Sequence, residues 1–253
     1  MHSRIRWITG ITLALALVIG LAPLAEAAPV EIPALPLRPA ETPGEAIQTM
    51  QLFVLLTLLS LAPSLLILTT AFTRIVIVLG FVRNAMGTQQ LPPNQVLMGL
   101  AIFLTIAIMA PTFSEINTTA IQPYLQNEIT QAEALDRGAG PLKEFMIRQT
   151  HEADLALMVE VTNSPEPNGP EDLGFFTVVP AFVISELKTA FTMGFLLFLP
   201  FVIIDLIAAS AMMSMGMMMV PPTLVSLPFK ILLFVLVDGW HLLVKSLVDS
   251  FQV

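Results

Sequence analysis

The 253-residue chain contains no cysteine. Disulfides, thiolate catalysis and cysteine-ligated zinc are therefore excluded. Charge is scarce as well: Asp, Glu, Lys and Arg make up 12% of the residues, against roughly a quarter in an ordinary soluble domain. Positive charge is scarcest, with 11 Lys and Arg against 19 Asp and Glu, and a net charge of −8 argues against a nucleic-acid footprint. Beyond the first segment only His151 and His241 remain, too far apart in sequence to suggest a local metal site. There is no Gly-rich phosphate loop, nucleophile elbow or HExxH motif, so the residues point to no enzyme and to no cofactor. Apolar residues fill the chain instead, at 55% with a mean hydropathy of +0.82, which reads as an integral membrane protein.

The organisation follows from where the apolar runs stop. Residues 1–27 read as a cleavable signal peptide: Arg4 and Arg6 form a basic start, Trp7 to Leu24 an apolar run, and Ala25-Glu26-Ala27 a small-x-small cleavage site. Residues 28–49, with Pro29, Pro33, Pro36, Pro39 and Pro43, read as an extended tail. Residues 50–111 read as a first helical hairpin. It consists of an apolar run from Leu52 to Leu79, a turn around Gly87 and Pro92-Pro93, and a helix that Asn94 caps and Pro111 closes. Arg74 and Arg83 flank the turn, which the positive-inside rule then places in the cytoplasm. From 112 to 172 eleven acids face three bases, so 112–173 reads as an external, periplasmic segment of two or three short helices. In it Leu142, Phe145, Met146 and Gln149 mark one helix face. Residues 174–253 read as a second hairpin. The predicted fold class is therefore all-α, two membrane-type hairpins with a small helical periplasmic segment between them.

Two features of the second hairpin demand chemistry. The first is charge inside apolar helices: Glu186, Lys188, Asp205, Lys230 and Asp238. A charge at the bilayer centre costs several kcal/mol, about 2.5–3.5 on insertion scales, so such residues face protein or water. Asp205 and Lys230 lie at similar distances from the turn and can pair within the hairpin, whereas Glu186 would reach Lys230 more easily across two chains. These residues are read either as ion pairs that fix assembly or as an ion or proton relay. The second feature is the turn itself, where six of the fourteen methionines fall in A-M-M-S-M-G-M-M-M-V-P-P, Ala211 to Pro222. Methionine fills irregular gaps and re-packs around changing shapes. The run reads as adaptable packing, as a soft Cu(I) site, or as a compliant constriction repeated around a ring.

Several long strings resemble one family. F-T-R-I-V-I-V-L-G-F-V-R-N-A-M-G-T-Q-Q-L-P-P-N-Q-V-L-M-G-L (Phe72 to Leu100), P-A-F-V-I-S-E-L-K-T-A-F (Pro180 to Phe191), G-M-M-M-V-P-P (Gly216 to Pro222) and L-P-F-K-I-L-L-F-V-L-V-D-G-W (Leu227 to Trp240) are similar to the FliP family of flagellar type III export proteins. Thr192 departs from the pattern, which has a longer polar or basic residue there. The resemblance implies a non-enzymatic export gate: a homo-oligomeric helical ring with FliQ and FliR, served by FlhA and FlhB. It would sit in the inner membrane at the flagellar basal body, with its helices largely raised toward the periplasm, and pass unfolded flagellar subunits. It also implies a methionine gasket at Met217, Met218 and Met219, and subunit contacts supported by Glu186 and Lys230. Met212, Met213 and Met215 are left as helix-end packing. A carrier for small solutes or protons, working through Asp205 and Lys230, is the alternative.

Overall fold

The computed structural model describes residues 43–88, 91–162, 169–217 and 220–251. The expected signal peptide, most of the proline-rich tail, and Met218 and Met219 lie outside the described residues. Among those that are described every regular element is helical and none is a strand. The chain divides into two compact units at Leu58/Leu59, inside the first helix, α1 (Pro43–Leu68). In the first unit α1 exposes Ile47, Met50, Phe53, Val54 and Leu55, an apolar surface on several sides. The helix starts at Pro43, within the segment expected to be extended; proline suits a first helical turn because its N–H would be unpaired there in any case.

The second unit carries the remaining helices. They are α2 (Phe72–Ala85), α3 (Asn94–Ile116), a π-turn at Asn117–Ile121 that leads into α4 (Gln122–Leu125), and α5 (Gln131–Gln149). α6 (Glu152–Val161), α7 (Phe175–Ser214), α8 (Pro222–Leu236) and α9 (Gly239–Ser250) follow. The apolar run from Leu52 to Leu79 is not one helix. It breaks at Thr69-Thr70-Ala71 while Pro63 stays inside α1. Threonine hydroxyls serve the backbone there: Thr69 Oγ1 donates to Leu65 O at 2.8 Å and Thr73 Oγ1 to Ile67 O at 3.1 Å. The helix after the first turn also differs from expectation. Pro93, not Asn94, is its N-cap residue, and the Asn94 side chain accepts from Arg83 Nη1 at 3.4 Å. Pro111 does not close it; α3 runs on to Ile116, since proline's φ already suits a helix and its ring lies on an exposed face.

α2 and α7 form the centre. α2 buries Ile75, Val78, Leu79 and Val82, spaced as one helical face. α7 answers with Val178, Ala181, Phe182, Ser185, Glu186, Ala190 and Gly194. The two helices approach closely at Gly194, where a Cβ would lie 2.5 Å from the Phe81 ring. Phe81 in turn meets Phe191 edge-to-face at 5.4 Å between centroids. α5 packs against α3 and α7 and α6 against α7, with Phe145, Met146 and Gln149 buried as their spacing predicts. Thr130 and Glu133 form a reciprocal capping box at the start of α5.

Three helices are long and apolar enough to cross a membrane, and a fourth span arises if α8 and α9, bent by 64°, count as one. The bend sits at Asp238, which adopts a left-handed conformation with φ +51°, followed by Gly239 lying against the Phe234 ring. It returns Ser250 and Phe251 to Arg74 at the start of α2.

Candidate functional site

The methionine turn closes α7 with a left-handed glycine. Gly216 has φ +72°, a conformation that costs a side-chain-bearing residue and is free for glycine. The Gly216 N–H donates to Met213 O at 3.1 Å and the Met217 N–H to Met212 O at 3.0 Å, the paired bonds of a Schellman cap. Met212 is buried, whereas Met213, Met215 and Met217 are exposed. Within one chain, then, Met212 packs against the bundle while Met213 and Met215 do not, because successive helical residues point about 100° apart.

Behind the turn lies the first buried charge pair. Lys230 Nζ donates to Asp205 Oδ2 at 2.6 Å, and Ser226 Oγ to Asp205 Oδ1 at 2.5 Å. Lys230 is buried and Asp205 partly so. A Cβ on Gly87, itself left-handed at φ +74°, would lie 3.8 Å from Lys230 Nζ. Gly87 of the first interhelical turn therefore lies beside Lys230 of this pair.

Glu186 does not wait for Lys230 of a neighbouring chain. Its two oxygens accept from Arg74 of its own chain, Nε donating to Oε2 at 3.0 Å and Nη2 to Oε1. Arg74 Nη1 donates to Ser250 O at 2.7 Å and to Ser250 Oγ at 3.0 Å, and Nη2 also reaches Gln149 Oε1 at 3.4 Å. These five bonds match the five N–H groups of a guanidinium. The Phe251 ring covers the group, with Cζ 3.8 Å from its centroid. Arg74 is thus an internal hub joining α2, the end of α5, α7 and the end of α9. It is 2% exposed, so it is not a topology signal, and Arg83 is the arginine left at the first turn.

A third cluster ties α6 to α7. Asp154 accepts from Ser185 Oγ at 2.7 Å and from Lys188 Nζ, and Ser185 Oγ accepts from the His151 N–H at 3.0 Å. Burial alone would raise the Asp154 carboxyl, but the bonds from Lys188 and Ser185 outweigh it and hold the group below the usual carboxylate range. His151 Nε2 lies 3.4 Å from Thr189 Oγ1. His241 lies on α9 outside these clusters, and Thr192 spends its hydroxyl on the Lys188 carbonyl at 2.9 Å. Asp238, the last of the five charges in apolar helices, is exposed and has no side-chain partner among the described residues.

A sequence model of the FliP family matches residues 55–247. The chain belongs to the FliP family. The match takes in Arg74, Glu186, Asp205, the whole methionine turn and Lys230, and stops just short of Ser250 and Phe251. Three flagellar FliP proteins match this chain over nearly their whole length. The flagellar biosynthetic protein FliP of Bacillus subtilis (strain 168) is 57% identical over 209 residues, 83% of this chain and 95% of that one. The FliP of Pectobacterium carotovorum subsp. carotovorum is 49% identical over 236 residues, 93% and 92% of the two chains. That of Aquifex aeolicus (strain VF5) is 46% identical over 224 residues, 88% and 93%.

Proposed function

We propose that this chain is a non-enzymatic, ring-forming subunit of the flagellar export channel. Its family membership, over a match that includes both turns and the charged pairs, makes it a component of the flagellar export apparatus and carries the reading. With FliQ and FliR it forms the passage through which unfolded flagellar subunits cross the inner membrane, with FlhA and FlhB acting beside it. The turns face the cytoplasm, and the acidic segment the periplasm. Met217, Met218 and Met219, repeated around the ring, seal the resting channel. Unbranched thioether side chains suit that role because they close on one another and yield to a passing chain.

The length of α7 supports an assembly over a simple membrane bundle. Its 40 residues span about 60 Å at about 1.5 Å each, twice a hydrocarbon core of about 30 Å. Part of it must therefore lie outside the bilayer, yet Phe176, Phe195, Ile203, Leu206 and Ile207, spread along its length, are all exposed. Apolar side chains beyond the bilayer need protein cover, and neighbouring subunits provide it. Glu186, Lys230 and Asp205 then fix the shape that each subunit presents to the next.

Replacing Met217, Met218 and Met219 with alanine in the complex assembled with its partners is expected to raise the ion conductance of the closed channel. Unchanged conductance in an intact assembly would reject the seal. The carrier reading requires Asp205 and Lys230 to bind and release a solute or proton; it predicts a chain that is stable alone or as a small oligomer.

A further inference from the structure

Access to an oxidant differs sharply among the methionines of the turn. The chain has no cysteine, so methionine is its only sulfur. Of the turn methionines, Met213 is 63% exposed and Met215 65%, against 45% for Met217 and 3% for Met212 on the same helix as Met213. Met109 and Met146 are fully buried. Met50 is also exposed, but on a helix that is apolar on several sides; Met213 and Met215 flank the exposed Ser214, with the exposed Gly216 next in the chain. Susceptibility of a thioether follows its access to the oxidant, and the product is a polar, chiral sulfoxide.

We propose that Met213 and Met215 are a reversible oxidation site through which peroxide loosens the channel seal. A sulfur lone pair attacks one oxygen of hydrogen peroxide and forms the S–O bond as the O–O bond breaks. The second oxygen leaves with both protons as water. The sulfur is oxidised by two electrons and the peroxide is reduced. Two polar sulfoxides then stand at the end of α7, immediately before the Met217 amide that completes the helix cap, where apolar side chains had been. Methionine sulfoxide reductases, one for each epimer, restore the thioethers. The consequence for the seal rests on the channel reading; the site of oxidation rests on exposure alone.

The test treats the assembled complex with hydrogen peroxide, maps sulfoxides by peptide mass spectrometry and records conductance of the closed channel in parallel. Sulfoxide is expected at Met213 and Met215 well before Met212, Met109 and Met146. Conductance should rise with it and fall again after reductase treatment. The Met213→Leu/Met215→Leu variant, which keeps apolar bulk and leaves Met217 in place, should lose most of the peroxide-induced rise. Oxidation of Met212 as fast as its neighbours, a rise that persists undiminished in the leucine variant, or sulfoxides at both sites with no change in conductance would each overturn the proposal. The alanine replacement of Met217, Met218 and Met219 separates this failure from failure of the seal: a seal confirmed by that variant, without a peroxide effect, rejects only the oxidation device.

Discussion

Arg74 ties four helices together through a single side chain. Both members of its pair with Glu186 are almost fully buried, and removing one partner of such a pair leaves an uncompensated charge in a dry environment. Arg74→Ala is expected to destabilise the chain by about 3–5 kcal/mol, read as a lowered unfolding midpoint of the detergent-solubilised protein. Arg74→Lys should not restore it, because an ammonium is a point charge with three donors and cannot reproduce the fork that reaches Glu186, Ser250 and Gln149 together. Asp154 gives a pH-dependent counterpart. Its folded-state pKa is depressed, so the unfolded chain binds the proton more tightly. The stability from its contacts is therefore fully present above the ordinary carboxylate pKa, near 4, and is lost as pH falls through the lowered value. Hydrogen exchange at the α6 amides should stay slow at neutral pH and accelerate in acid, and Asp154→Asn should flatten that dependence. What the sequence disclosed here was uneven. Asp205 and Lys230 flank one turn at matching distances, so their meeting followed from helix geometry. Arg74 and Glu186 are 112 residues apart, and the spacing of a single chain holds no signal for that contact. Arg74 was accordingly read as a marker of topology, and Gln149, Ser250 and Phe251 were not read as polar partners at all.

Helix ends and close approaches decide the elements. Gly87 and Gly216 both stand in left-handed conformation just after a helix, as glycine at such a position signals. Pro93 and Pro221 are each the N-cap residue of the next helix, but Pro93 is the second proline of its pair and Pro221 the first, so the two Pro-Pro turns differ by one residue in register. The threonine-xx-glutamate spacing at Thr130 to Glu133 was present in the sequence as a start signal for α5 and went unused. Pro111 misled in the opposite direction, since it lies inside a helix that continues past it. The crossing of α2 and α7 left no sequence signal beyond the presence of a glycine in α7. Gly194→Ala would place a Cβ 2.5 Å from the Phe81 ring carbons and 3.0 Å from its Cβ, too near the ring's root for a simple rotation to relieve. A cost of about 1–3 kcal/mol is expected for such overpacking. Phe81→Leu in the same chain should recover part of it, which a double-mutant cycle on unfolding midpoints would measure as positive coupling.

At the scale of the whole molecule, the apolar surface exceeds what one copy covers. α7 is too long for a single crossing of the bilayer, and the apolar side chains along it, with Leu224, Phe229, Leu232, Val235 and Leu236 on α8, remain exposed. Composition alone announced a helical membrane protein, and the described residues are helical with three or four candidate spans. Composition was silent on where apolar surface meets lipid and where it meets protein, because both surfaces select the same side chains. The family match resolves the class, and the length of α7 favours protein contacts for part of it. A seal made of three methionines also has meaning only when several turns converge. Native mass spectrometry of the complex extracted with its co-expressed partners tests this most directly. The account predicts several copies of this chain in one large assembly with other small membrane proteins; a chain that emerges alone, or as a small oligomer without partners, would contradict it.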